Sequence, residues 1–352
     1  MYYINETIKT LDRIFDQNTR DGYLRLDLNE NPGGLPQSFI NEVISDVTPE
    51  LVSKYPETEW FQNLLSKKIQ VNSNQVCLTN GSAEAIRYII ELFSRPGGKI
   101  VSVTPAYAMY EVFSKMYSRR IIQVPYKEPF QFDMHDLTEV LSEDIDLMVV
   151  MNPNNPAGDS FTEEEMRILL DYADRFNINV LIDEAYYYFC PTSFQHFALE
   201  RDNVIITRTF SKLFSLAGCR LGYCIGQEQN VNMVQKMCTP HNVNAFALKF
   251  AGAILNKEGM LESMIRKQRA GRNYLIKELS SKGYNVSESK GNFVFVETKR
   301  NAKDVVKELK QKGILVKYYE DDKYSRFIRV TTGEIDIMKR FLDIFNLVDN
   351  KY

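Results

Sequence analysis

Lys212 stands beside Ser211, directly after the β-type run Val204-Ile205-Ile206-Thr207 and ahead of Gly218 and Arg220. A lysine so placed can hold an aldehyde as a Schiff base, and a hydroxyl with an arginine can hold a phosphate. Upstream, Asp183 ends the apolar run Val180-Leu181-Ile182. A carboxylate buried there is costly unless it is paired. A protonated pyridine nitrogen is a fitting partner, because a ring kept positive can accept electrons from a carbanion. A Schiff-base lysine with a carboxylate facing a pyridine nitrogen is the minimal apparatus of pyridoxal-phosphate (PLP) chemistry.

Two further segments fit the same chemistry. Thr79-Asn80-Gly81-Ser82-Ala83-Glu84 reads as a strand-to-helix turn. Its glycine makes the bend, and its free amides at a helix N-terminus offer a phosphate site; a plain helix cap would use the same residues. Asn152-Pro153-Asn154-Asn155-Pro156-Ala157-Gly158 reads as a rigid turn. It also presents an amide side chain firmly, which suits a hydrogen bond to a cofactor phenolate oxygen.

These residues need a scaffold, and 352 residues are enough for two unequal domains. Hydrophobic residues at 44% and charged residues at 25% are ordinary for a soluble enzyme. The net charge of −3 is spread without a basic face, which argues against nucleic-acid binding. No apolar run reaches the roughly 18 residues that cross a bilayer. The first ten residues are too polar for a signal peptide, so a cytoplasmic protein is expected. The five cysteines are odd in number and lack CxxC spacing, and the three histidines form no ligand pair, so no metal site is expected.

Short apolar runs alternate with helical patterns from about residue 75, the signature of an α/β layer. The expected strands are 75–79, 100–104, 120–125, 146–151, 179–183, 204–209 and 221–225. Leu147-Met148-Val149-Val150 is apolar on every residue, as in a sheet covered on both faces. Helices are expected at 83–93, 107–117 and 162–176, the last opened by a Thr162/Glu165 capping-box spacing. A long helical stretch near 244–282 leads out of this layer. A smaller α+β unit follows, with strands at 292–297, 314–317 and 326–331 and helices at 302–312 and from about 333. The division expected is an N-terminal arm (1–36) with connecting helices after it, a large domain (37–255) and a small domain (256–352).

The chain resembles the aspartate-aminotransferase-fold (fold type I) PLP enzymes, and within them the histidinol-phosphate aminotransferases. The resemblance spans nearly the whole length. It rests on Leu28-Asn29-Glu30-Asn31-Pro32, Tyr55-Pro56-Glu57, Thr79-Asn80-Gly81-Ser82, Pro105-Ala106-Tyr107-Ala108-Met109-Tyr110, the 152–158 loop, Asp183-Glu184-Ala185-Tyr186, Ser211-Lys212 with Arg220, Pro240-His241-Asn242-Val243-Asn244, Gly291-Asn292-Phe293 and Arg329-Val330-Thr331-Thr332-Gly333. Each is modest alone; together and in order they are specific.

The resemblance implies an aspartate-aminotransferase-like large domain with a mostly parallel sheet. It makes Lys212 the Schiff-base lysine, with Asp183 on the pyridine nitrogen and Asn155 and Tyr186 on the ring oxygen. Tyr107 would stack on the ring, and Gly81, Ser82, Ala83, Ser211 and Arg220 would hold the phosphate. Tyr55 would reach the phosphate of the neighbouring subunit, which implies a homodimer. Asn29, Asn155, Lys317 and Arg329 fall on the substrate side, Arg329 as an anion clamp. The implied reaction is ping-pong transamination of histidinol phosphate, or a similar phosphorylated or carboxylated amine, with 2-oxoglutarate and glutamate.

Two places depart from the family pattern. Lys317 stands where a second arginine is usual, keeping the charge but not the planar fork. The segment Leu11-Asp12-Arg13-Ile14-Phe15 lacks the tyrosine that the family sets on the substrate phosphate. The departures leave open a decarboxylase resembling the threonine-phosphate decarboxylases, which share these cofactor residues. A non-catalytic PLP-binding sensor would need a basic DNA-reading helix, and none is present.

Overall fold

The computed structural model describes residues 2, 6–11, 19–190 and 192–349. Its strands are β1 (Leu24–Leu26), β2 (Val76–Thr79), β3 (Lys99–Thr104), β4 (Arg120–Pro125), β5 (Ile145–Met151), β6 (Asn179–Asp183), β7 (Val204–Thr209), β8 (Gly222–Gly226), β9 (Phe293–Glu297), β10 (Ile314–Tyr318) and β11 (Phe327–Thr331). β2 to β8 build a seven-stranded sheet in the order β2-β8-β7-β6-β5-β3-β4. Pairing from β4 through β3, β5 and β6 to β7 is parallel, whereas β8 runs antiparallel to both of its neighbours. Every residue of β5 and β7 is buried, as a sheet sandwiched between helices requires. The expected strands of this layer agree with the observed ones to within a residue at each end. The fold is therefore α/β, with a mostly parallel large sheet.

Helices follow the strands and start where the chain offers a stop to the ladder. Thr162 caps the helix Glu163–Arg175 reciprocally: its hydroxyl accepts from Glu165 N (3.2 Å), and its own N–H donates to Glu165 Oε2 (2.7 Å). The ends of β5, β6 and β7 consequently point one way and release the 152–158 loop, Asp183 and the Ser211-Lys212 turn at one edge of the sheet. Ligands collect at such an edge in open α/β sheets.

Beyond it, β1-β10-β11-β9 form a second sheet with its own buried core, including Leu26, Val294, Ile328, Val330 and Phe341. Two features differ from the sequence reading. Residues 24–26, taken there as part of an arm, pair in parallel with β10, Leu26 opposite Val316. The Leu-Arg-Leu alternation places two leucines on one face of this short strand, and Leu26 is fully buried in the smaller core. The stretch near 244–282 is two helices, Ala245–Asn256 and Met260–Ser281. Gly259 separates them with φ +70°, a left-handed conformation that a helix interior cannot hold. Among the described residues no helix is long and apolar enough to cross a membrane.

Candidate active site

A cleft of about 760 Å³ opens between the two sheets, and both contribute to its lining. From the large sheet come Ser82, Ala83, Tyr107, Asn155, Asp183, Tyr186, Ser211, Lys212 and Arg220; from the small one come Lys317 and Arg329, while Asn29 enters from the connecting segment.

At the end of β6, Asp183 is 1% exposed. Its Oδ1 accepts from Ala185 N (3.0 Å) and its Oδ2 from Tyr110 Oη (2.7 Å). Burial pushes its pKa up to about 6, and these donors restrain the rise. The next residue turns the other way: Glu184 pairs with Arg208 (2.8 Å) in the protein interior, with the guanidinium over the Tyr187 ring at 3.8 Å. Both buried charges are thus matched, which fixes the backbone that carries Asp183 and Tyr186.

After β7, Ser211 N donates to Thr209 Oγ1 (3.1 Å), setting the turn that presents Lys212. Lys212 Nζ donates to Leu28 O (3.0 Å) and lies 5.7 Å from the centre of the Tyr186 ring. Burial, then the positive charge of Arg329, lowers its pKa to about 8. The amine is therefore far closer to its neutral, nucleophilic form at physiological pH than a surface lysine is.

The turn at residues 79–84 forms a close-fitting cradle. Gly81, at φ +82°, lies so near Arg220 that a Cβ there would stand 2.5 Å from Nη2. No side-chain hydrogen bond caps the helix Ser82–Leu92, and Ser82 and Ala83 of its first turn line the cleft. Arg220 Nη1 also donates to Ser211 Oγ (3.4 Å). Amides, a hydroxyl and a cation converging on one spot make an anion site.

Asn155 is held from both sides. Its loop is pinned by Asn154 Oδ1 accepting from Ala157 N (2.9 Å) and by Lys290 N donating to Gly158 O (2.7 Å). Arg329, 4% exposed, donates from Nη1 to Asn155 Oδ1 (2.5 Å) and to Tyr319 Oη (2.7 Å), and from Nη2 to Asp27 O (2.6 Å). Tyr186 Oη accepts from Asn29 Nδ2 (2.8 Å), and burial raises the Tyr186 pKa. Tyr107 packs edge-on to Tyr110 at the cleft wall.

A family model, aminotransferase class I and II, matches residues 21–345. The chain belongs to this family. The aminotransferase is 30% identical over 313 residues to histidinol-phosphate aminotransferase 1 of a Nostoc species, an alignment covering 88% of this chain and 87% of that one. It is also similar to the solved structure of the histidinol-phosphate aminotransferase from Clostridium acetobutylicum, at 25% identity and TM-score 0.83, covering 94% and 100% of the two chains. The fold recurs in the Sinorhizobium meliloti histidinol-phosphate aminotransferase solved with pyridoxal-5'-phosphate, at TM-score 0.87 and 20% identity, covering 99% and 98%.

The family's cofactor is PLP, and the residues present fit it. A buried carboxylate, an amine of lowered pKa and a glycine-lined anion cradle are the donors that a pyridinium, an aldehyde and a phosphate require. The sequence-derived residues converge here with one exception. Tyr55 lies on the surface, 79% exposed, stacked on His241 at 4.7 Å rather than lining this chain's own cleft. Two residues were missed. Tyr110 was signalled by its i,i+3 spacing from Tyr107, which puts both rings on one side of the turn. Tyr319 was signalled only by its i+2 relation to Lys317, which places the two on one side of an extended strand. Residues 12–15, where the family's substrate-phosphate tyrosine is lacking, lie outside the described residues.

Proposed function

We propose that this aminotransferase acts on histidinol phosphate, or on a closely similar phosphorylated or carboxylated amine, with 2-oxoglutarate and glutamate as the other pair. The observation that carries the reading is the 30% identity, across 88% of the chain, to a histidinol-phosphate aminotransferase. The site chemistry agrees with it. Arg329 and Lys317, on adjacent strands, put two cations on the substrate side of the cleft for an anionic amine.

Bound PLP supplies an electrophilic aldehyde and an electron-accepting ring. In this reading Asp183 would hold the ring nitrogen, with Tyr110 and Ala185 N keeping its carboxylate oriented and ionised. Asn155 and Tyr186 would take the ring oxygen, Tyr107 one ring face, and Ser82, Ala83, Ser211 and Arg220 the phosphate. Lys212 Nζ would accept the α-proton of the bound amine and hold it for delivery to the carbon that carried the cofactor aldehyde, as transamination requires. Its lowered pKa suits a base working near neutrality. Arg329, braced by Asn155 and Tyr319, orients the anionic substrate above Lys212.

We further propose that two copies share their sites, each lending Tyr55 to the other's cofactor phosphate. The exposure of Tyr55 supports this. Steady-state assays with L-histidinol phosphate and 2-oxoglutarate test the substrate reading. Parallel lines in the double-reciprocal plot, with glutamate as product, are expected. Glutamate formation from other amines but none from histidinol phosphate would overturn it. For the shared sites, mixed Tyr55→Phe and Lys212→Ala subunits should regain activity on exchange.

A further inference from the structure

Lys317 and Arg329 are direct cross-strand partners on the antiparallel pair β10 and β11. Like charges so placed stand roughly 5 Å apart at Cβ and repel each other. Tyr319, two residues on from Lys317, adjoins both. Its hydroxyl accepts from Arg329 Nη1 at 2.7 Å, its ring centre is 5.6 Å from the Arg329 guanidinium, and Lys317 Nζ is 6.0 Å from the same ring. The ring is braced from behind by the buried aromatics Phe295 (5.7 Å between centres) and Tyr324 (6.3 Å), which form a small cluster with Phe327. Phe293 covers the guanidinium from another side at 5.3 Å. Arg329 is therefore boxed by two aromatic rings, with Asn155 and Tyr319 fixing its Nη1, whereas Lys317 at the exposed rim meets a ring face.

We propose that Tyr319 is a positioning residue for substrate binding: its hydroxyl and ring hold the Arg329 guanidinium and its ring face supports Lys317, so that both cations keep fixed places for the anionic groups of the amine and oxo acid. The proposal rests on the reading of Arg329 and Lys317 as the anion-binding pair. The braced ring fixes the Arg329 fork for the nearer anion and gives Lys317 a platform for the farther one. A flexible residue at 319 would leave the guanidinium without a brace on one side and the ammonium without a platform.

The test uses PLP-loaded enzyme and succinate, a non-reacting dicarboxylate, with binding read by calorimetry and turnover measured in parallel. Tyr319→Phe keeps the braced ring and removes the hydroxyl. It should weaken succinate about 10-fold and raise KM for glutamate similarly, with kcat within about 2-fold, as expected for one lost hydrogen bond to a charged group. Lys317→Gln should weaken succinate in the otherwise unaltered enzyme and have little further effect in a Tyr319→Leu background. If Lys317→Gln and Arg329→Lys both leave succinate affinity unchanged, the anion-pair reading fails and the proposal falls with it. If those two weaken binding but Tyr319→Phe does not, or Lys317→Gln acts equally in both backgrounds, the proposal alone is overturned.

Discussion

The two walls of the cleft are built on different terms. The wall from the large sheet is buried and over-determined: Asp183 has two donors, Glu184 is neutralised by Arg208, and the Lys212 turn is fixed through Thr209. On the opposite wall, buried Arg329 adjoins exposed Lys317 on neighbouring strands, and Tyr319 contacts both. In the proposed reading the cofactor residues need a fixed geometry, and they sit at the ends of strands buried along nearly their whole length. Substrate choice, in the same reading, is a difference between affinities, set by a wall that joins buried Arg329 to exposed Lys317.

The sharpest way to break this contrast is at the amine. Lys212→Ala should abolish the visible band of lysine-bound cofactor and lower turnover at least about 10⁴-fold, while the far-ultraviolet circular dichroism is unchanged. Survival of the band would place the Schiff base elsewhere.

A smaller effect is expected at Tyr110→Phe. Asp183 has a folded pKa raised to about 6, and the Tyr110 donor opposes that rise. Only the ionised carboxylate pairs with a pyridinium, so PLP affinity should fall as pH drops through about 6. Removing the donor should move this midpoint upward, by about one unit for one charge-assisted hydrogen bond. Titration of cofactor affinity, with the protonation of the ring nitrogen followed by nitrogen NMR, checks this. An unmoved midpoint would show that Tyr110 does not tune Asp183.

The smallest effect is expected at Lys317. Lys317→Arg keeps the charge at an exposed position, so KM for histidinol phosphate should change by less than about 3-fold with kcat unaltered. A large change in kcat would mean that Lys317 belongs to the fixed wall after all.

The same contrast explains what the sequence made legible. Asp183 and Lys212 were readable because each punctuates an apolar run, and only a few chemistries justify a charge at a buried strand end. The large sheet was readable for the same reason, since strands buried on both faces write themselves as unbroken apolar runs. The β1 strand was not, because three residues carry too little alternation to stand out from a connecting segment. The break at Gly259 was hidden within a pattern that stays helical on both sides. Tyr319 acquires its place only from the register that sets Lys317 opposite Arg329, and single-chain spacing does not encode pairing between strands.

The central claim is transamination by a fixed cofactor wall on an amine chosen by the opposite one. A half-reaction tests it most directly: PLP-loaded enzyme mixed with L-histidinol phosphate, without any 2-oxo acid, and the cofactor spectrum followed in a stopped flow. Conversion to the amino form of the cofactor at a rate matching turnover is predicted. A spectrum that never reaches the amino form, together with carbon dioxide released from phosphothreonine, would contradict the account and assign the site to decarboxylation.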